Sequence, residues 1–347
     1  MQRESFLDLL RFAAAFGVVA FHFGFRGYSA HNLQDVAYPE LAAFSKYGYM
    51  GVELFFMISG YVIPWSIRGR TLGEFVASRA IRLYPTYWLC AALLLFVPPL
   101  LGERRFLIPA HDALINLTMV APWFGSPYID PVFWSLAREL EFYALVAFVV
   151  GLLGFERLPK ALLVWLVIGA CTSVLASGTG TTPVYLGGTY YMYFCFGAAC
   201  YFLHHIERSR TVYALLVLSL PLMLAHSLHK AFTVAEIYRV PMSPIVVCSV
   251  LAAGAAAVYF SSALSGRMKP SALVTFIGGL TYPLYLLHEN IGYALLNTMF
   301  SEQTRWLGLA YTVLFCLAAS AAVYLWFDLP VRRWLRRSLR QQLGFRH

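Results

Sequence analysis

About ten windows of roughly 20 mostly apolar residues follow one another along this chain, each long enough to cross the hydrocarbon of a bilayer as an α-helix. In lipid, backbone N–H and C=O groups have to be satisfied within the segment itself. Such a chain therefore folds as helices packed side by side. The windows run 6–24, 47–67, 81–101, 132–153, 161–177, 184–204, 211–228, 241–262, 273–299 and 306–327. Only 12% of residues are charged, against about 25% in a soluble domain, which excludes a soluble protein with an unusually apolar core. Gly and Pro at 178–183, Pro241 and Pro270 mark several helix ends, and no internal repeat is visible. The expectation is an all-α polytopic bundle, with one membrane domain over 1–330 and a basic tail over 331–347. The first window lacks a basic leader and a cleavage site, so it is expected to stay in the protein.

Lys and Arg orient the bundle. With the N-terminus inside, 17 of the 26 fall on the inner side and 7 on the outer, so both termini are expected to be cytoplasmic. The net charge of +9 is mostly this bias plus the tail, which is expected to lie on anionic lipid headgroups. The basic residues sit in short loops flanking the windows, which argues against a nucleic-acid partner. The six cysteines include no Cys-x-x-Cys pair and lie in apolar runs, so neither a disulfide framework nor a metal site is expected.

Against this apolar background the ionisable residues stand out, because a charge inside a span is costly and points to function. Arg11 and His22 bracket an uninterrupted apolar run, 12–21. Eleven residues are about three helical turns, so both side chains leave one face, roughly 16 Å apart along the axis. A cation near one surface and a base three turns deeper suit a long anionic ligand entering end-on. By the same topology His22, Glu53, Glu139 and His288, with Glu289 beside it, all fall in the outer half. Arg79 and Arg82, three apart, share a face at the inner surface.

These residues sit in blocks that resemble the acyltransferase-3 family of integral membrane O-acyltransferases. Leu7-Asp8-Leu9-Leu10-Arg11 running to His22 is similar to its Arg-x10-His signature. Gly51-Val52-Glu53 through Ser59-Gly60 resembles a second block, and Arg79-Ala80-Ile81-Arg82-Leu83-Tyr84-Pro85 its Arg-x-x-Arg-x-x-Pro. Trp134-Ser135-Leu136 through Glu139 to Phe142-Tyr143, and Ile277-Gly278 through Tyr282 to His288, match two later blocks. The chain departs from the usual pattern at Glu53 (commonly Asp), at Thr281 (commonly Ser) and at Phe327-Asp328-Leu329-Pro330 (commonly Phe-Glu-x-Pro).

The resemblance implies transfer of an acyl group, usually acetyl, from cytoplasmic acyl-coenzyme A to a hydroxyl of a glycan or lipid-linked sugar outside a bacterial inner membrane. It implies no metal. Arg79, Arg82 and Arg11 would hold the donor's phosphates, and His22 would act as general base, with Glu53 or Glu139 orienting it and His288 a further catalytic candidate. Asp8 is read as the partner of Arg11 one turn away, and Ser59, Trp134, Ser135 and Tyr282 as supporting residues. Membrane lipids and glycan-assembly proteins are the expected partners. Three other readings stay open at this level: acylation of a small molecule such as a macrolide, a carrier of an anionic or lipid-linked solute, and a non-catalytic member of a glycan-assembly complex. Bland readings stay open too. His22 and His288 are candidates for simple interhelical hydrogen bonds, Arg79 and Arg82 for topology anchors, and Arg138 for neutralising Glu139 or Glu141. His204, His205, His226 and His229 are read as solvated or interfacial, and Asn116-Leu117-Thr118 fits a glycosylation sequon.

Overall fold

The computed structural model describes residues 5–30, 33–179, 188–269 and 271–343. Arg3, Pro183, Val184, Pro270 and Arg346, used above as markers or counted charges, lie outside them. Among the described residues every regular element is helical. The long helices are α1 (Ser5–Phe21), α2 (Met50–Ile67), α3 (Leu72–Leu100), α4 (Trp134–Leu153), α5 (Leu158–Thr179), α6 (Tyr191–His205), α7 (Arg210–Tyr238), α8 (Pro244–Tyr259), α9 (Ala272–Met299), α10 (Arg305–Ala322) and α11 (Leu329–Leu343).

Six helical segments are long and apolar enough to cross a membrane: Ser5–Ser29, Pro39–Ile67, Leu72–Leu100, Phe155–Val174, Arg210–Tyr238 and Glu302–Leu339. A seventh results if Pro244–Tyr259 and Ser261–Arg267, bent by 60°, form one span. Helices α4, α6 and α9 fall outside this group for physical reasons. Helix α6 has only 15 residues, and all of Tyr191–Leu203 is buried. Helix α4 opens with Arg138, Glu139 and Glu141, while α9 carries His288, Glu289 and Asn290 within a buried stretch. Helix α7 runs ten residues past its expected end at 228, which moves His229 from a loop into a helix and His226 away from the helix end.

Two compact units emerge, each discontinuous in sequence. The first comprises Met1–Ala14, Met50–Phe75 and Arg138–Ser271. Within it, α2 and α6 approach at glycines on both sides. A Cβ on Gly60 would overlap the carbonyl of Phe194, and one on Gly197 the carbonyl of Met57. Small residues at helix contacts let backbones approach, which is how helices gain packing energy where lipid offers no hydrophobic drive. Helices α7 and α8 close around this pair.

The second unit comprises Ala15–Tyr49, Val76–Ala137 and Ala272–His347. Its α1 segment opens into a π-helical turn over His22–Arg26 before resuming as Gly27–Ser29. Such wide turns are rare and cluster at functional sites. Helix α9 packs against α10, and its Gly292 leaves room for the Phe23 ring from the π turn. The connection after α3 is fixed by Asn116. Its side-chain amide donates to Asp112 O and Pro127 O, both at 2.8 Å, and its carbonyl accepts from Ile129 N at 3.1 Å. Asn116 is fully buried, so the apparent sequon is a loop anchor rather than a glycan acceptor.

Replacing Gly60 by Ala is expected to destabilise the detergent-solubilised protein by about 1–3 kcal/mol, as overpacking does. Gly73→Ala serves as control, since a Cβ at Gly73 meets nothing within 4 Å. Equal thermal midpoints for the two variants would contradict the close contact of α2 with α6.

Candidate active site

The second unit gathers a set of ionisable side chains around the π turn. His22 Nδ1 lies 2.7 Å from His288 Nε2, and both rings are buried. On the far side of the His288 ring, Nδ1 faces two backbone carbonyls, Tyr285 O at 2.9 Å and Leu284 O at 3.1 Å. Carbonyl oxygens only accept, so this nitrogen carries the proton. In the neutral ring Nε2 is then the acceptor, and His22 Nδ1–H must be the donor to it. The assignment leaves the lone pair of His22 on Nε2, the atom a general base needs.

Glu289 stands next to that lone pair, with its Oε2 3.7 Å from His22 Nε2. Its other oxygen accepts from Arg26, four residues beyond His22 and one turn along. Buried charges persist when paired in this way. Behind Glu289 sits Asp130, fully buried at the start of the Pro131–Phe133 turn. It accepts from Val132 N at 3.1 Å and Asn290 N at 3.2 Å. Burial, and then the negative charge of Glu289, push the Asp130 carboxyl well above its ordinary range. Tyr293 completes the cluster, donating to His22 O at 3.4 Å, its ring edge-on to the imidazole.

The other expected residues are placed as follows. The hydroxyls of Ser135 and Tyr285 meet at 2.7 Å, and Tyr282 donates to Leu83 O at 3.1 Å. Trp134 begins α4. Arg79 and Arg82 are half-buried on α3. In the first unit, Arg11 pairs with Asp8 at 3.3 Å, as the one-turn spacing suggests. There Glu139 accepts from Ser59 and Tyr143, each at 2.6 Å, and Arg138 pairs with Glu141 rather than Glu139. Glu53 accepts from Ser227 at 2.8 Å and lies 4.0 Å from His226. His205 meets Tyr61 OH at 2.7 Å, and only 12% of the His226 side chain is exposed, so neither histidine is simply solvated.

Thus His22 and His288 come together, while Glu53 and Glu139 each have a cluster of their own in the first unit. The orienting partner on His22 is an imidazole, where a carboxylate from Glu53 or Glu139 was expected. Arg26, Glu289 and Asp130 are the residues that sequence reasoning passed over. Arg26 looked like an outer-loop cation, although its place one turn after His22 was visible. Asp130 carried only the cap signal of an acid before proline. Among the described residues, no group of three or more His, Cys, Asp or Glu is arranged to hold a metal ion.

An imidazole with a free lone pair, a second imidazole fixing its tautomer and a carboxylate 3.7 Å away are the groups that a proton-transfer centre needs, here within a helical membrane protein. A family model described as an acyltransferase domain matches residues 4–327, and the chain belongs to the acyltransferase-3 family of integral membrane O-acyltransferases. It is similar to the peptidoglycan O-acetyltransferase OatA of Listeria monocytogenes, 28% identical over 208 residues, which are 53% of this chain and 29% of that protein. The acyltransferase MdmB of Streptomyces mycarofaciens is 28% identical over 178 residues, 48% of this chain and 43% of its own length. The O-acetyltransferase OatA of Staphylococcus aureus is 27% identical over 191 residues, 48% of this chain and 28% of its own. The match spans less than half of each relative. No solved structure matches the chain.

Removing Arg26 tests the pairing directly. Arg26→Met leaves the Glu289 carboxylate without its cation and is expected to cost about 3–5 kcal/mol of stability. The double variant Arg26→Met/Glu289→Gln should recover most of that loss in thermal unfolding. A single variant as stable as the parent would show that the ion pair is not needed to bury Glu289.

Proposed function

We propose that the protein is a membrane O-acetyltransferase, moving an acetyl group from cytoplasmic acetyl-coenzyme A to a hydroxyl of an extracytoplasmic glycan or lipid-linked sugar in a bacterial inner membrane. The observation carrying this reading is the His22–His288 pair with its lone pair directed to His22 Nε2, in a chain of a family of acyltransferases. The similarity to the peptidoglycan O-acetyltransferase of Listeria monocytogenes supports a glycan acceptor.

In this reading the acceptor hydroxyl gives its proton to His22 Nε2 as its oxygen attacks the thioester carbonyl carbon. Glu289 steadies the imidazolium that forms, and His288 holds the ring in place. The tetrahedral intermediate collapses by breaking the carbon–sulfur bond. His22 then returns the proton to the departing thiolate, so the products are the acetyl ester and free coenzyme A. The orienting role expected of Glu53 or Glu139 passes to His288 and Glu289. Arg79, Arg82 and Arg11 bind donor phosphates at the inner surface. We also take α4, α6 and α9 as further crossings, giving about ten spans with both termini cytoplasmic.

Membranes incubated with labelled acetyl-coenzyme A are expected to transfer label to a glycan fraction. His22→Ala should lower that transfer by on the order of 100- to 10,000-fold while leaving an inserted protein. Near-parental transfer by His22→Ala would remove His22 as base. Label that reaches no covalent product at all would favour the carrier.

Sidedness is tested by single cysteines in a cysteine-free background. A cysteine replacing Arg70 should react with an impermeant reagent only once the inner face is opened. One replacing Trp123, 57% exposed, should react in intact cells. Labelling of both from the same side would defeat the topology.

A further inference from the structure

Glu289, Tyr293 and Asn297 lie four residues apart on α9, so they stand in successive turns of one face. Glu289 and Tyr293 both touch His22. Asn297, one turn further on, joins two loops instead. Its Oδ1 accepts from Asp35 N at 2.9 Å, and its Nδ2 donates to Leu33 O at 3.0 Å and to Glu103 Oε2 at 3.1 Å. Residues 33–36 lie beyond the π turn that carries His22, and Glu103 belongs to the connection after α3. The same face of α9 thus leads from the His22 site directly to the loops at its end.

Arg105 ties these loops together. Its guanidinium meets both carboxylate oxygens of Asp35 at 2.9 Å each, and its Nε reaches the oxygens of buried Glu103 at 2.9 and 3.0 Å. Two-pronged contacts fix direction as well as distance, so the next residue, Phe106, is held in place. Its ring centroid lies 6.2 Å from that of Tyr293, whose ring stands edge-on to the His22 imidazole at 6.5 Å. The order outward from the base is Tyr293, Phe106 and the Arg105 clamp. This order matters because a lone pair that takes a proton from a sugar hydroxyl takes one equally well from water. Which O–H reaches His22 Nε2 is then decided by what covers it.

We infer that Phe106, set by the Arg105 clamp, is the cover that keeps water from His22 and so directs the acetyl group to the acceptor, an inference that rests on His22 being the base of acetyl transfer from coenzyme A. Without the cover, a water oxygen attacks the thioester carbonyl carbon and the carbon–sulfur bond breaks. The water proton passes through His22 to the departing thiolate, and the products are acetic acid and free coenzyme A. Phe106 does the shielding, and Arg105 is a positioning residue acting through it. The two ends of the clamp differ in burial: the Asp35 side chain is 56% exposed and that of Glu103 5%. An ion pair in water parts easily. The Asp35 link is therefore where the cover yields to an incoming glycan, while Glu103 and Asn297 keep the loop attached.

The purified full chain in nanodiscs is given labelled acetyl-coenzyme A and a membrane glycan fraction, and free acetate and acetylated glycan are measured together, with His22→Ala as the blank. Phe106→Ala and Arg105→Gln are each expected to raise the ratio of acetate to acetylated glycan by roughly 10-fold, as loss of water exclusion does. Phe106→Leu, which keeps an apolar side chain of similar reach, should stay near the parental ratio. The ratio separates shielding from mere support of the fold, since partial unfolding lowers both products together. The inference is overturned if Phe106→Ala and Arg105→Gln keep the parental ratio, whether or not their total activity falls. It is also overturned if Phe106→Leu raises the ratio as much as Phe106→Ala, because the bulk at this position would then not be what excludes water. A parent that forms no acetylated glycan would instead bring down the transfer reading, and this inference with it.

Discussion

The arrangement around His22 follows from one constraint: an ionisable group removed from water has to find its partner inside the protein. His22 donates to His288, His288 donates to the carbonyls of its own helix, and Glu289 is paired with Arg26 while facing the remaining nitrogen of His22. Each link satisfies a group whose burial would otherwise be expensive. The same links determine which nitrogen of His22 bears the lone pair. Stability and the capacity for proton transfer thus come from one set of bonds, and the proposed chemistry needs no element beyond those that hold the fold together there.

Backbone geometry serves this arrangement. The π turn at His22–Arg26 adds a residue to one turn of the helix and sets Arg26 against Glu289, where a regular α-helix would carry it to a different bearing. Gly292 on α9 leaves space for Phe23 from the same turn. The loop after α3 brings Asp130 to the cluster through a buried anchor, Asn116, and Asp130 in turn caps the turn leading into α4. In the first unit Gly60 and Gly197 play the corresponding part by admitting a neighbouring backbone. These positions contribute nothing to chemistry directly. They set distances on which hydrogen bonds depend.

The basic residues divide by burial rather than by charge. Arg26 and Arg332 have largely buried side chains with carboxylate partners, Arg82 has none among the described residues, and Arg70 is exposed. A guanidinium in a recessed place has to be paired, whereas one in water contributes to topology. Counting charges per loop cannot separate these classes.

Several properties were determined by the sequence alone. Apolar windows of bilayer length force helices, because the backbone has no other way to satisfy its hydrogen bonds in lipid. Polar residues that interrupt those windows, among them His22, Glu53, Glu139 and His288, mark where function has to be sought, and the spacing of Asp8 and Arg11 foretold their pairing. The tertiary structure decided which of these residues meet. It joined His22 to His288, gave Glu53 and Glu139 clusters of their own, and drew in Arg26, Asp130 and Arg332 from positions that read as loop, cap and tail. It also sorted helices with long apolar lengths from those, such as α6 and α9, whose packing inside the protein lets them be short or polar. The reason is the same throughout: periodicity along one helix is local, while the partner of a buried charge comes from packing between segments hundreds of residues apart, which no single window records.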